Sequence, residues 1–125
     1  MARNNSPLES QEQMALFQWV MLTQARIPEL RLCHHVPNGG SRNKIEAHNL
    51  RLQGVRKGVP DICLPVPRGQ YHGLYIELKR RVGGAVSDEQ RGWIDALNRV
   101  GYRAVVCKGW ESARDEILRY LSHEN

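Results

Sequence analysis

The chain has 125 residues, of which 41% are hydrophobic and 25% are charged, a composition typical of one soluble globular domain with a single core. No apolar run approaches the ~20 residues that span a bilayer, and the first ten residues lack the apolar core of a signal peptide, so a membrane protein and an exported protein are both disfavoured. The net charge of +5 favours a polyanionic partner such as nucleic acid.

The first predicted helix begins at Glu9 and runs to about residue 25, because apolar residues recur there at three- and four-residue spacings. Its first turns carry two carboxylates, Glu9 and Glu12. Acidic residues there commonly complement the helix dipole, but one of them could also point into a functional site. Glu12 shares a face with Leu16 and Trp19 and is the preferred candidate, with Glu9 as the alternative.

The segment Leu30–Val36 is predicted to be a short strand that leads into a Pro-Asn-Gly-Gly turn. Adjacent side chains of a strand point to opposite faces, so His34 or His35 could approach a site, although packing and surface roles are more usual for each. A second helix is predicted from Ser41, as its N-cap, to Leu52.

Basic residues are dense in this second helix and in the loop after it. They are Arg42, Lys44, Arg51, Arg56 and Lys57. Two interpretations stay open, a solvated helix face or a flank that contacts nucleic-acid phosphates. The position of the stretch, directly before an acidic residue at Asp61, favours the second.

Two apolar runs, Ile62–Val66 and Gly73–Leu78, flank a Pro/Arg/Gly turn and predict a β-hairpin. Alternate side chains of a strand share a face, so Glu77 and Lys79 lie side by side. Asp61, at the start of the first strand, comes near Glu77 when the hairpin pairs. Two carboxylates and a lysine at one point suit a site for a divalent metal and an activated water.

A third helix opens with a capping box, in which Ser87 caps the amide of Gln90 and the Gln90 side chain reaches back. Gln90 is therefore either structural or a polar group near the site. The strand Tyr102–Cys107 is nearly continuous in apolar residues and is predicted to be buried on both faces. A last helix spans Trp110 to about Leu121.

The predicted order is helix, strand, helix, strand, strand, helix, strand, helix, which gives an α/β fold with a mixed central sheet and helices on both faces. We expect a flexible segment at residues 1–8 and one domain at 9–122. The three cysteines, Cys33, Cys63 and Cys107, are widely spaced and include no CxxC pair. They are predicted to be buried thiols in a reducing cytoplasm, and a zinc site is disfavoured.

The Pro-Asp pair at 60–61, followed by Glu77-Leu78-Lys79, resembles the PD-(D/E)xK nuclease superfamily. More narrowly, this chain resembles the virus-type replication-repair nuclease (VRR-NUC) domain. The resemblance lies in the runs GVPDICLPV, GLYIELK and SDEQRGWIDALNRVGY, and in HVPNGG upstream. The resemblance covers nearly the whole chain and implies a restriction-endonuclease-like core. It is to the small stand-alone members of phages and bacteria, which implies a bacterial cytoplasm, rather than to the multidomain Fanconi-associated nuclease.

The resemblance implies roles for five residues. Asp61 and Glu77 would bind one or two Mg²⁺ or Mn²⁺ ions, with the backbone carbonyl of Leu78 as a further ligand. Glu12 would complete the acidic shell directly or through water. Lys79 would orient and help deprotonate the attacking water, or stabilise charge on the phosphate.

Further positions have supporting roles in this interpretation. The accessory candidates are Gln90, Asn38 and His35. The DNA-contacting candidates are Arg42, Lys44, Arg51, Arg56, Lys57 and Arg80.

The substrate is expected to be branched DNA, with four-way junctions first, because stand-alone members resemble Holliday-junction resolvases in being compact, basic and dimeric. Phosphate contacts can recognise branched shape with little protein surface. We therefore expect a homodimer. The alternatives are a flap or nonspecific DNA nuclease and, outside enzymes, a DNA-junction-binding module with a degenerate site.

Overall fold

The computed structural model describes residues 6–37 and 43–123. Its helices are α1 (Glu9–Thr23), α2 (Lys44–Leu52), α3 (Asp88–Arg99) and α4 (Trp110–Leu121). Its strands are β1 (His34–His35), β2 (Ile62–Leu64), β3 (Leu74–Lys79) and β4 (Arg103–Lys108). The predicted order of helices and strands is confirmed, with one 3-10 helix, Pro28–Leu32, added between α1 and β1.

The four strands form one mixed sheet in the order β1-β2-β3-β4. Strand β2 is antiparallel to both of its neighbours, β1 and β3, and Ile62 of β2 lies opposite Ile76 of β3. The connection through α3 then brings β4 back parallel to β3, with Leu78 opposite Cys107. The predicted hairpin and the mixed sheet are therefore both present.

Strand β3 is covered on both faces. Leu74, Ile76 and Leu78 are at most 1% exposed and join the core formed with α1 and α4. On the other face, Tyr75 packs against the smaller cluster that α3 supplies. Glu77 also lies in this covered strand, so its carboxylate is removed from bulk water.

The segment predicted as a strand, Leu30–Val36, is different in the structure. Its first residues belong to the 3-10 helix, which begins with a proline whose fixed φ suits a first helical turn. Leu30 is fully buried while Leu32 is 52% exposed, so the two side chains lie on different faces of the 3-10 helix, whereas in a strand they would share one face. Only His34 and His35 pair with β2.

Helix α2 begins later than predicted, at Lys44. Asn43 is its N-cap, because the Asn43 side chain accepts hydrogen bonds from the amides of Ile45 at 2.8 Å and Glu46 at 3.3 Å. The predicted cap, Ser41, lies outside the described residues. No residue of α2 is buried, so this basic helix is surface.

Strand β4 is less buried than predicted. Ala104 and Cys107 are buried, whereas Val105 and Val106 remain partly exposed, because β4 is an edge of the sheet with a neighbour on one side. Cys33 and Cys63 are buried and free like Cys107, as expected for thiols in the core. Within the described ranges, no helix has the length and apolar character that crossing a membrane requires.

Candidate active site

Three carboxylates meet at one end of the sheet. Glu9 is the first residue of α1, Asp61 directly precedes β2, and Glu77 lies in β3. One oxygen of each lies within 4.8 Å of the others. The predicted meeting of Asp61 and Glu77 is thus present in the structure, and the third carboxylate comes from the first turn of α1.

Asp61 is held by the strands on either side of it. Its Oδ2 accepts a hydrogen bond of 3.0 Å from the amide of Leu78 in β3. Its backbone carbonyl accepts from the amide of Val36 at 2.7 Å and from Nδ1 of His35 at 2.8 Å. The N–H and C=O of a strand residue point to the same edge. The Leu78 carbonyl therefore points to the same edge of β3 as the Leu78 amide, the edge on which Asp61 lies.

The approach of the chain to Asp61 requires a glycine. Gly58 has a φ of +95°, a conformation that favours glycine. A Cβ there would lie 2.7 Å from the backbone carbonyl carbon and oxygen of Glu89, in the first turn of α3. This close crossing places the segment before Asp61 against α3.

Glu77 is fully buried, and its two oxygens differ. Oε2 accepts a hydrogen bond of 3.0 Å from Nε2 of Gln90 and lies 3.5 Å from Nζ of Lys79. Oε1 is also buried and has no hydrogen-bond partner among the described residues. Burial and the nearby negative charge of Asp61 raise the pKa of Glu77 to about 8.

These observations fit a hard divalent cation. A buried carboxylate oxygen without a hydrogen-bond partner lowers the stability of the fold, and a cation bound to that oxygen would offset this cost. Three carboxylates and a backbone carbonyl are oxygen donors of the kind that Mg²⁺ and Mn²⁺ prefer. The repulsion between Asp61 and Glu77 would be relieved by the same charge.

Lys79 brings an ammonium group into this cluster. Its side chain is 8% exposed, and Nζ lies beside Oε2 of Glu77. The loop after β3 turns back over the stem of the lysine, because a Cβ on Gly84 would lie 2.9 Å from the Lys79 Cβ. The charged end of Lys79 is thus held beside the carboxylates by packing.

Glu12 lies outside the cluster, unlike its sequence prediction. It is buried, and its carboxylate accepts from Arg81 Nε at 2.8 Å and Nη2 at 2.9 Å. The Trp110 amide donates to it at 3.2 Å. Hydrogen bonding by Arg81 lowers the pKa of Glu12. The residue shares a stripe with Leu16, and that apolar neighbour indicated burial in the core rather than a place in the site.

Glu9, the alternative carboxylate, is the one that the structure places in the cluster. It is mostly exposed, and its pKa is raised by partial burial, with Asp61 nearby. In the sequence, only the location of Glu9 in the first turn of the predicted helix indicated that it could belong to the site. Arg81 was not singled out by the sequence, although a pair of arginines directly after Lys79 was visible there.

Gln90 has both of the functions that the sequence left open. Gln90 and Ser87 form the capping box of α3. The Ser87 amide donates to the side-chain oxygen Oε1 of Gln90 at 2.9 Å, and the Gln90 amide donates to Ser87 Oγ at 3.1 Å. Its Nε2 points the other way, to Glu77. One side chain therefore caps α3 and orients a carboxylate of the cluster.

The remaining accessory candidates differ in position. His35 contacts the backbone of Asp61, so it supports the site without offering a side-chain ligand to the three-carboxylate group. Asn38 lies outside the described residues, as does Arg42.

The predicted DNA-contacting residues form two groups. Three are exposed on α2 and the loop that follows it; these are Lys44, Arg51 and Arg56. Lys57 is also exposed but lies 3.5 Å from Glu89. Arg80 is half-buried, and its Nη2 donates to the carbonyl and hydroxyl of Ser6 at 3.1 Å each, so it is engaged within the protein.

Comparison with known proteins agrees with this geometry. The sequence pattern of the VRR-NUC domain matches residues 4–111. A solved structure described as a VRR_NUC domain protein superposes with a TM-score of 0.83 at 28% identity, covering 98% of this chain and 94% of the other. No curated protein matches the sequence. Because the matched region contains the Pro-Asp and Glu-Leu-Lys segments that bring the carboxylates and the lysine together, the chain belongs to the VRR-NUC family, the nuclease domains of PD-(D/E)xK type.

Proposed function

We propose that this protein is a DNA endonuclease that depends on Mg²⁺ or Mn²⁺ and cuts branched DNA, with four-way junctions as its first substrate. The observation that carries the proposal is the fully buried Glu77 beside Asp61, Glu9 and the ammonium of Lys79. One oxygen of Glu77 has no hydrogen-bond partner in the part of the chain that the structure describes. This arrangement concentrates carboxylate oxygens whose negative charge a bound divalent cation would compensate.

Asp61, Glu77 and the Leu78 carbonyl would hold the ion, with Glu9 in the place first given to Glu12. When bound, the ion supplies charge neutralisation at the phosphodiester and lowers the pKa of a coordinated water. Glu12 is already engaged by Arg81, so a ligand role for it would require that ion pair to open.

Lys79 would act on the attacking water, because its Nζ lies 3.5 Å from Oε2 of Glu77, a proposed ligand of the ion that would hold this water. Its packed stem keeps the ammonium from turning away. It would orient the water, assist in removing its proton, or donate to a phosphate oxygen. Gln90 would keep Glu77 in one orientation while this occurs.

The preference for branched DNA rests on charge and size. The chain is basic, at +5, and Lys44, Arg51 and Arg56 are exposed on a helix and loop that precede Asp61. Phosphate contacts from such residues fix a duplex by its shape. A homodimer would present two such sites to the two strands of a junction.

Two alternatives follow from the same residues. A flap or nonspecific DNA nuclease would use the same chemistry with less selection of shape. A DNA-junction-binding module would have no use for a buried lysine beside a buried carboxylate, so the pair Lys79 and Glu77 disfavours it.

The test is cleavage of labelled four-way junction, flap, single-stranded and linear duplex DNA with Mg²⁺, Mn²⁺ or EDTA. We expect metal-dependent cutting of the junction, and loss of cutting in Asp61→Ala and Lys79→Ala. Absence of metal-dependent cleavage of every substrate would exclude the nuclease. Equal cutting of linear and branched DNA would exclude only the junction preference, and a monomer on gel filtration at micromolar concentration would exclude the paired cut.

A further inference from the structure

Two consecutive arginines follow β3 directly, and both bind the N-terminal part of the chain. Arg80 donates to the carbonyl and hydroxyl of Ser6. Arg81 forms a two-point contact with the carboxylate of Glu12. Ser6 is three residues before Glu9 and Glu12 is three residues after it. The two arginines therefore hold the chain on both sides of the carboxylate that α1 contributes.

Glu9 lacks such support of its own. No hydrogen bond or salt bridge fixes its side chain among residues 6–37 and 43–123, although an oxygen of it lies within 4.8 Å of those of Asp61 and Glu77. Its place in the cluster thus depends on where the first turn of α1 lies. That turn is located by the contacts at Ser6 and Glu12.

The contact at Glu12 is the more rigid of the two. Glu12 also accepts from the Trp110 amide, and Arg81 Nη2 donates to Glu111 at 2.8 Å. These hydrogen bonds around Glu12 and Arg81, here called the joint, therefore connect α1, the end of β3 and the start of α4. Two parallel hydrogen bonds between a guanidinium and a carboxylate fix direction as well as distance, so the joint resists rotation of α1 about its axis.

We propose that Arg80 and Arg81 are positioning residues that set where α1 presents Glu9, and so set the affinity of the carboxylate cluster for its divalent cation. The inference depends on the proposed metal-dependent function and names the residues that tune that site. Because the two arginines directly follow Lys79 in the chain, the end of β3 becomes the common reference for Glu77, Lys79 and Glu9.

The protein contains a matched control for this joint. Glu116 is likewise a buried carboxylate, bound by Arg103 and by Arg119. Arg103 lies opposite Leu74, at the other end of β3 from Lys79. Breaking this second ion pair removes a similar interaction from the fold without touching the support of Glu9.

The experiment is calorimetric titration of Mn²⁺ into Arg80→Lys, Arg81→Lys and Glu12→Gln, beside the controls Arg103→Lys and Glu116→Gln. Changes in groups that orient metal ligands typically weaken metal binding by about 10- to 100-fold. We expect a rise of that size in the Kd for Mn²⁺ in the first three proteins. The controls should lower the melting temperature to a similar extent and leave the Kd within about twofold of wild type.

A double-mutant comparison tests whether the effect passes through Glu9. In Glu9→Gln the arginines have no carboxylate to position, so adding Arg81→Lys should weaken Mn²⁺ binding no further. Full additivity, or an unchanged Kd in all three single variants, would overturn the inference while the nuclease proposal stands. Failure of the wild-type protein to bind Mn²⁺ would overturn both. If Arg81→Lys does not fold, Arg80→Lys and Glu12→Gln give the answer.

Discussion

At the scale of single residues, the site is defined by charged groups that the fold keeps out of water. A carboxylate, Glu77, and an ammonium, Lys79, stand two residues apart on a strand that is covered on both faces. Such groups are costly to bury unless they are paired. Their protonation and their partners therefore determine both the stability of the protein and its proposed chemistry.

Glu77 makes the stability of the metal-free protein depend on pH. Its pKa is raised from the ordinary 4.5 to about 8, so the folded state binds this proton more tightly than the unfolded state. The stabilisation is complete below pH 4.5 and is lost as the pH rises through about 8. Thermal unfolding in EDTA should show a lower melting temperature near pH 9 than near pH 6, and Glu77→Gln should remove most of that difference. Glu46→Gln, on exposed α2, should leave it unchanged.

Lys79 is expected to contribute to catalysis and to oppose cation binding. Replacing it with methionine keeps the packed stem and removes the charge. Loss of a group that handles a proton typically costs about 10²- to 10⁴-fold in rate, so Lys79→Met should lower kcat by that amount. Mn²⁺ should bind as tightly or more tightly, because a repelling charge is gone. Lys108→Met, which removes an exposed ammonium at the end of β4, is the control. Weaker Mn²⁺ binding in Lys79→Met would contradict the assignment.

At the scale of elements, α3 supports the site through both its start and its packing. Its first turn lies against Gly58, and its Gln90 reaches Glu77. The segment that carries Asp61 and the helix that orients Glu77 are thus in direct contact.

The Gly58 crossing predicts a difference between two glycines that both have positive φ. Ala at Gly54 meets nothing within 4 Å and should cost only backbone strain, about 1 kcal/mol. Ala at Gly58 adds a clash with the Glu89 backbone, so we expect Gly58→Ala to lose about 2–3 kcal/mol more. Urea denaturation compares the two free energies of unfolding, and equal losses would count against the crossing. Cleavage should fall only in Gly58→Ala.

Variants of Ser87 and Gln90 distinguish the capping of α3 from the support of Glu77. Removing either side chain breaks the capping box, so Ser87→Ala and Gln90→Ala should each lose about 1 kcal/mol of stability. Only Gln90→Ala also releases Glu77. We therefore expect weaker Mn²⁺ binding in Gln90→Ala and unchanged binding in Ser87→Ala. The same Kd in both variants would show that Gln90 acts through the helix alone.

At the scale of the whole molecule, three free thiols report on global unfolding. Burial raises the pKa of Cys33 to about 12 and that of Cys107 to about 11, and it raises the pKa of Cys63 as well. Near pH 8 the native protein should react slowly with a thiol reagent, while three thiols should react in urea. Mg²⁺ should slow the native reaction by stabilising the folded state. EDTA should restore the faster rate.

The sequence predicted what depends on local pattern. The hairpin and the box of Ser87 with Gln90 follow from residues close in the chain. The segment Leu30–Val36 was predicted as a strand throughout, but its first residues belong to a 3-10 helix that begins at Pro28, and only His34 and His35 pair with β2. The choice between Glu9 and Glu12 depended on Arg81, a partner distant in sequence that neither helical periodicity nor composition identifies.

The carboxylate cluster is assembled from parts of the chain that are far apart. Glu9 comes from the first helix, Asp61 and Glu77 from the hairpin, and Gln90 from the helix after it. The shortest segment that contains all four runs from residue 9 to residue 90, and they converge only when α1 has docked on the sheet. A nascent or partly unfolded chain would therefore be harmless to DNA. Completion of folding is thus the event that creates a cutting centre, and local opening of α1 would dismantle it without cleaving the chain.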